Sequence, residues 1–126
     1  MRIALKSLLR LLGLNRGNSM SDQIQIVEPA TVIGWLKEGS ATIVDVREPH
    51  EHKAGHIPGA TLVPLSQFDP ARVPVEPGKH LVFHCQGGMR CGPASARMAD
   101  SGFTGTIYRL KGGMAGWMAA AGPVER

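Results

Sequence analysis

The residues best suited to chemistry stand together in one short stretch, His84-Cys85-Gln86-Gly87-Gly88-Met89-Arg90-Cys91. Cys85 follows the apolar run Leu81-Val82-Phe83, which reads as a buried parallel strand. It precedes residues 92–101, which read as a helix stopped by Gly102. A cysteine at such a strand-to-helix turn meets unpaired backbone N–H groups and the positive end of a helix dipole. Thiols placed this way ionise at roughly pH 3.5–7.5 instead of about 8.5, so Cys85 is expected to be a thiolate nucleophile. Gly87 and Gly88 permit the tight curl, with positive φ where required, that turns amides inward toward an anion. Gln86 and Met89 are neutral, which leaves Arg90 as the loop's one formal charge. Arg90 has two readings: it braces the loop through an ion pair, or it guides an anionic substrate from the rim.

Loop length narrows the chemistry. Cys85 and Arg90 form a C-x4-R arrangement, one residue shorter than the C-x5-R loop with which cysteine-dependent phosphatases cup a tetrahedral oxyanion. The smaller ring suits the terminal sulfur of a cysteine persulfide. The stretch resembles the active loop of the rhodanese family of sulfurtransferases, commonly C-x-x-G-x-R-[ST]. Cys85, Gly88 and Arg90 match, while Cys91 departs at the final position. Two further blocks extend the resemblance. Asp45-Val46-Arg47-Glu48, then Glu51, then Gly55-His56-Ile57-Pro58-Gly59-Ala60 is similar to the family's D-V-R-E…E…G-H-I-P-G-A signature. Leu110-Lys111-Gly112-Gly113-Met114-Ala115-Gly116-Trp117, followed by Gly122-Pro123-Val124, is similar to its L-x-G-G-x-x-x-W…G-x-P-V ending.

The resemblance implies an α/β fold, a five-stranded parallel sheet flanked by helices on both faces. It also implies a two-step sulfur transfer. Cys85 takes the outer sulfur of a donor such as thiosulfate, releasing sulfite. The amides of Gln86, Gly87, Gly88, Met89, Arg90 and Cys91 hold the resulting persulfide, and a thiophilic acceptor then removes the sulfur. With a single charge on the loop, attraction for thiosulfate is expected to be weak, so the donor could instead be a small or protein persulfide, with a protein cysteine as acceptor. No metal or organic cofactor is required by this chemistry, and a monomer suffices. Two other classes stay open: phosphatase or arsenate-reductase activity on the same fold, and a non-catalytic protein-interaction module. Loop length speaks against the first and Cys85 against the second.

Other polar residues have plainer readings. Asp45, Arg47, Glu48 and Glu51 resemble acid–base machinery but are read as an internal ion-pair network, with Asp45, Arg47 and Glu51 at its centre. His56 and His84 invite a Cys–His dyad; rhodaneses do not depend on a general-base histidine, so both are read as structural, and Trp35 and Trp117 as packing. At i, i+3 and i+7, Cys91, Ala94 and Met98 share one helix face, which predicts an inward-packed Cys91. A hydroxyl there could also hydrogen-bond the Cys85 sulfur, a thiol only weakly, and the thiol could instead resolve it into an internal disulfide. A cradle-shaped loop is expected to hold the two sulfurs wrongly for that bond.

The elements needed to position this loop follow from pattern. Ile24–Val27 alternates like an edge strand, and Pro29 opens a helix ended by Gly39. Strands are predicted over 42–46, 60–64, 80–84 and 106–110, a helical turn over 49–54 and a last helix over 114–121. Strands alternating with helices indicate a parallel sheet, and catalysis at a strand's C-terminal end fits open α/β sheets.

Composition agrees with one domain: the chain has 126 residues, 43% of them hydrophobic, and only two cysteines. Two cysteines make neither a disulfide framework nor a zinc site, and a reactive free thiol points to the reducing cytoplasm. The net charge of +4 resides in Arg2, Lys6, Arg10 and Arg16, since the remainder balances ten basic against ten acidic residues. A neutral domain gives no reason to expect nucleic-acid binding. Residues 1–21 are therefore read as a separate basic arm and 22–126 as the domain. The arm's Arg2, Lys6 and Arg10 recur every four residues among leucines, a basic amphipathic pattern. It is read as a weak peripheral membrane contact through residues 1–16, a targeting segment, or an inert, over-extended start ahead of Met20; Gly17-Asn18-Ser19 reads as a flexible joint.

Overall fold

The computed structural model describes residues 20–126. The predicted amphipathic arm and its Gly17–Ser19 joint lie outside the described residues. A helical turn α1 (Met20–Gln23) leads into β1 (Ile24–Val27), α2 (Pro29–Glu38), β2 (Ala41–Asp45), α3 (Pro49–Ala54) and β3 (Thr61–Leu62). Two short 3-10 turns, Leu65–Gln67 and Pro70–Arg72, occupy the proline-rich connection. Then come β4 (His80–His84), α4 (Cys91–Asp100), β5 (Ile107–Leu110) and α5 (Gly113–Ala119).

The five strands form one sheet in the order β1-β5-β4-β2-β3, with parallel pairing throughout. The edge position expected for β1 is observed. The strand expected over 60–64 shortens to Thr61–Leu62; Val63 and Leu65 still donate to the Asp45 and Val46 carbonyls at 2.9 and 3.0 Å as the chain enters the turn at Leu65–Gln67. Strand β4 runs in the middle, paired with β2 from Ala41↔His80 to Asp45↔His84. Its flanking position on both sides is what allows the uninterrupted Leu81-Val82-Phe83 to be apolar.

Alternation along the strands divides the core between two sheet faces. Phe83, Val44, Leu81 and Ile107 pack with Cys85, Cys91, Ala94 and Met98 on the side covered by α4. Val82, Ile43, Leu110, Met114 and Trp117 form the opposite cluster with Val32 of α2. Helices thus cover both faces, as the patterning implied. Trp117 is fully buried and donates from Nε1 to the Pro123 carbonyl at 2.8 Å, which explains why the chain's end folds over it. Trp35 stacks on His80 at a centroid distance of 3.7 Å and meets Tyr108 edge-on, so both tryptophans serve packing. Among the described residues no helix is long and apolar enough to cross a membrane.

Candidate active site

The site is built where β4 ends and α4 begins. Ladder geometry continues one step past β4, with Val46 N–H donating to the His84 carbonyl at 2.9 Å, so Cys85 leaves the sheet from a fixed point. Its side chain lies on the same face as Phe83, and the residue is 1% exposed. Gly88 N–H donates to the Cys85 Sγ at 3.0 Å. That approach requires Gly88 at φ +100°, a conformation open mainly to glycine. Gly87 has no positive φ, and a Cβ there would meet nothing within 4 Å; the curl expected of both glycines is carried by Gly88 alone.

The Cys85 thiol is lowered from 9.0 to about 5. The largest cause is a hydrogen bond from the Cys91 thiol; burial opposes it, and the amides of Cys91, Gly88 and Arg90 add to it. Cys91 packs inward as expected and is fully buried. The cradle, expected to hold the two sulfurs wrongly for a disulfide, brings them into contact. Cys91 Sγ lies 3.5 Å from Cys85 Sγ and equally close to the Phe83 carbonyl, because the first turn of α4 carries it back under the loop. Its own thiol is pushed up by donating to Cys85, by burial and by the neighbouring negative charge. One proton serves both sulfurs, and it stays on Cys91.

The C-terminal glycines acquire a role that spacing did not reveal. Met114 N–H donates to the Cys85 carbonyl at 2.7 Å and Ala115 N–H to the Gln86 carbonyl at 3.1 Å, so the start of α5 clamps the start of the loop. Gly112 and Gly113 both have positive φ, and a Cβ on Gly113 would fall 2.4 Å from the Cys85 carbonyl oxygen. Only a backbone without a side chain can come this close. The signal lay in Gly112-Gly113 ahead of an apolar helix.

The single ion-pair network expected around Asp45, Arg47 and Glu51 separates into two. Arg47, almost fully buried, grips Asp45 through Nε at 3.0 Å and Nη2 at 2.8 Å. It also donates to the Gly55 carbonyl at 2.6 Å and to Gln86 Oε1 at 3.2 Å, tying the second motif block to the loop. Burial alone would raise the Asp45 carboxyl, but hydrogen bonds from Arg47 and from His52 hold it below the usual range. Glu51, in the first turn of α3, faces elsewhere: its two oxygens take Nη1 and Nη2 of Arg90 at 2.7 and 2.8 Å. The Arg90 bonds, with the Glu48 N–H, hold Glu51 down at about 2 against burial. Glu48 itself accepts from the Ser66 hydroxyl at 2.6 Å. Arg90 therefore braces the loop, and its fork is filled by a carboxylate.

Neither histidine is placed to act on Cys85. His84 points to the opposite sheet face by strand alternation, with Nδ1 against the Cys85 carbonyl at 3.3 Å and Nε2 without a hydrogen-bond partner. Desolvation lowers it from 6.5 to about 4, so it is neutral. His56 stacks on His52 and pairs with Glu125 at 3.3 Å.

Sequence reasoning missed a cation. Arg109 on β5 shares the face of Ile107; its Nη2 donates to the Gly88 carbonyl at 3.0 Å, and its guanidinium lies against Gly92 in the first turn of α4. Strict alternation of Ile107-Tyr108-Arg109-Leu110 was the available signal. Beside it a groove of about 190 Å³, lined by Ile26, Gly88, Met89, Arg109 and Lys111 among others, opens next to the loop.

A rhodanese-like domain matches residues 28–120, most of the chain. The chain belongs to the rhodanese-like family. It is 35% identical over 100 residues to an uncharacterized protein of Synechocystis, covering 79% of this chain and 55% of that one. It is 40% identical over 77 residues to an uncharacterized protein of Bacillus subtilis, covering 61% and 60% respectively. The chain thus spans less than two thirds of the length of these curated relatives. Among solved structures, the thiosulfate sulfurtransferase of Pseudomonas aeruginosa superposes with a TM-score of 0.73 at 22% identity, over 84% of this chain and 21% of that one, a likeness of fold. The rhodanese-like fold anticipated from three motif blocks is the fold observed.

Proposed function

We propose that this rhodanese-like protein is a sulfurtransferase in which Cys85 carries sulfane sulfur as a persulfide. The observation that supports this reading best is the Cys85 sulfur itself. It sits at the C-terminal end of a central strand, receives the Gly88 amide at 3.0 Å, and is lowered to about 5. A thiolate at neutral pH attacks the outer sulfur of the donor; the donor's S–S bond breaks, and thiosulfate leaves as sulfite. The outer sulfur then carries the negative charge within reach of the amides of residues 86–91. Fixed dipoles hold it there without reorganisation, the logic of an oxyanion hole. A thiophilic acceptor, cyanide in an assay or a protein cysteine in a cell, takes the sulfur and regenerates the thiolate.

Arg90 is occupied by Glu51, so it adds little net attraction for a dianion. The apolar and cationic groove, with Met89 84% and Ile26 66% exposed, favours a persulfide donor or acceptor bearing an apolar portion over bare thiosulfate. Two free cysteines 3.5 Å apart suit the reducing cytoplasm. The test is the intact mass after exposure to thiosulfate or glutathione persulfide. A gain of one sulfur mapped to Cys85, lost on adding cyanide with formation of thiocyanate and absent in Cys85→Ser, is the expected result. Thiocyanate formation at the wild-type rate by folded Cys85→Ser would refute the assignment.

A further inference from the structure

Sulfur transfer through Cys85 requires neither the buried Cys91 thiol that touches it nor the charge of Arg109, which holds the Gly88 carbonyl but pairs with no carboxylate among the described residues. Cys91 Sγ contacts the inner sulfur position of Cys85 from the protein interior, where Cys91 is 0% exposed. The Gly88 amide donates to the same sulfur at 3.0 Å, and the amides of Arg90 and Cys91 add to it. In a loaded site the loop amides hold the outer sulfur, while the Cys91 thiol stays in contact with the inner one. Displacement at sulfur needs the attacking thiol within reach of the sulfur attacked, and a buried thiol 3.5 Å away meets that need. Closing the contact from 3.5 Å to a bond of about 2.05 Å takes a shift of about 1.5 Å, within the reach of a χ1 adjustment in the first turn of α4.

Arg109 supplies the charge that such a step needs. Its guanidinium lies against the first turn of α4, and its Nε is buried without a hydrogen-bond partner. Among the described residues no carboxylate pairs with it. Its charge favours the thiolate of Cys91, against burial and the Cys85 charge. While Cys85 is an unloaded thiolate, the hydrogen bond between the sulfurs keeps the proton on Cys91. Loading moves the negative charge one atom outward, weakens that bond, and leaves Arg109 as the dominant nearby charge.

We propose that Cys91 is a second, resolving thiol, which attacks the inner sulfur of the Cys85 persulfide, expels hydrosulfide and leaves a Cys85–Cys91 disulfide. This rests on the persulfide reading of Cys85. The bond between Cys85 Sγ and the outer sulfur breaks, and its electron pair leaves with the outer sulfur. That atom takes the Cys91 proton and departs as HS⁻, while a new bond joins the two cysteine sulfurs. No external oxidant enters, because the sulfane sulfur is itself reduced. An external dithiol, a reductant of the thioredoxin class, then restores both thiols. The protein becomes a sulfide-releasing enzyme when no thiophilic acceptor is at hand, and Arg109 is a positioning residue for that branch.

The full chain is reduced, desalted, loaded with a limiting sulfur donor and left without acceptor or reductant, while intact mass and free sulfide are followed. The expected course is a gain of one sulfur, then its loss together with two hydrogens, with about one equivalent of sulfide released. Digestion yields a Cys85–Cys91 linked peptide, and dithiothreitol restores the capacity to load. Appearance of the linked peptide and sulfide with no accumulating persulfide also supports the proposal, as fast resolution. Loaded Cys91→Ser and Cys91→Ala keep their sulfur. Arg109→Gln releases sulfide about tenfold more slowly once loaded, and Arg109→Lys recovers most of the rate; equal rates in all three remove Arg109 from the proposal. A wild-type persulfide that persists as long as that of Cys91→Ser overturns the resolving role while the sulfurtransferase reading stands. Absence of persulfide, sulfide and linked peptide alike overturns the reading beneath it.

Discussion

Replacing Cys91 by alanine tests how the Cys85 thiolate is maintained. Cys85 is lowered from 9.0 to about 5, a preference for the ionised form of about 5 kcal/mol. Burial works against ionisation, so the donors around the sulfur supply more than that difference: the Cys91 thiol at 3.5 Å, the Gly88 amide at 3.0 Å, and the amides of Arg90 and Cys91. Hydrogen bonds to a charged acceptor contribute about 1.5–3 kcal/mol each. Removing the Cys91 thiol, the largest of these contributions, while leaving its amide in place should therefore raise the Cys85 pKa by about one to two units, to about 6–7. Three amides and the N-terminus of α4 remain, so the value stays well under an ordinary thiol. Cys91→Ser, which restores a donor, should return it close to its starting point. The assay is the rate of Cys85 alkylation by iodoacetamide against pH, read by peptide mass. An unchanged midpoint in Cys91→Ala means that the thiol donates nothing. A midpoint near that of a free thiol means that the backbone cradle contributes nothing, and the electrostatic reasoning for the loop fails.

Three further outcomes are expected. Gly113→Ala should destabilise the protein by about 2–4 kcal/mol and slow alkylation of Cys85, since its Cβ overlaps the Cys85 carbonyl; Gly87→Ala, which meets nothing, should be neutral in thermal melts. Arg90→Ala and Glu51→Gln should impair thiosulfate and uncharged persulfide donors by similar factors, because both break the brace; a loss confined to thiosulfate would instead restore Arg90 as a guide for anions. Stability should fall in two stages on acidification. His84, lowered to about 4 by burial, stays neutral when folded, so stability is lost as the unfolded chain takes up its proton between about pH 6.5 and 4, by about 3 kcal/mol. Glu51, ionised when folded down to about 2, removes its contribution between about pH 4.5 and 2. Denaturant titrations at successive pH values check this; His84→Gln should lose the upper stage, and retention of that stage would disprove its origin.

Much of this molecule was legible in local pattern, and the reason is the short range of the physics involved. Strand β4, the turn at Cys85 and helix α4 follow from an apolar run, paired glycines and a helix stop within some twenty residues. The alternation of strands and helices marked a parallel sheet, and the three motif blocks brought the family with them. A thiolate at Cys85 also follows locally, because its amide donors come from the next six residues.

What only the tertiary structure decided concerns residues that meet across the sheet. Glu51 and Arg90 are 39 positions apart, and nothing in either neighbourhood says that Arg90 finds Glu51 while Arg47 takes Asp45. Gly113 clamps the loop because α5 returns to the end of β4, a contact that its spacing alone cannot announce. Arg109 reaches the loop because β5 lies beside β4, and its alternation with Ile107 becomes meaningful only once the covered face is known. The two sulfurs are the sharpest case. Six residues separate them, and a helical face predicted the burial of Cys91. Their 3.5 Å contact depends on the angle at which α4 leaves the loop, and that angle is set by packing. Sequence specifies which side chains an element offers to each face; the distance between two reactive atoms is decided by how the elements come together.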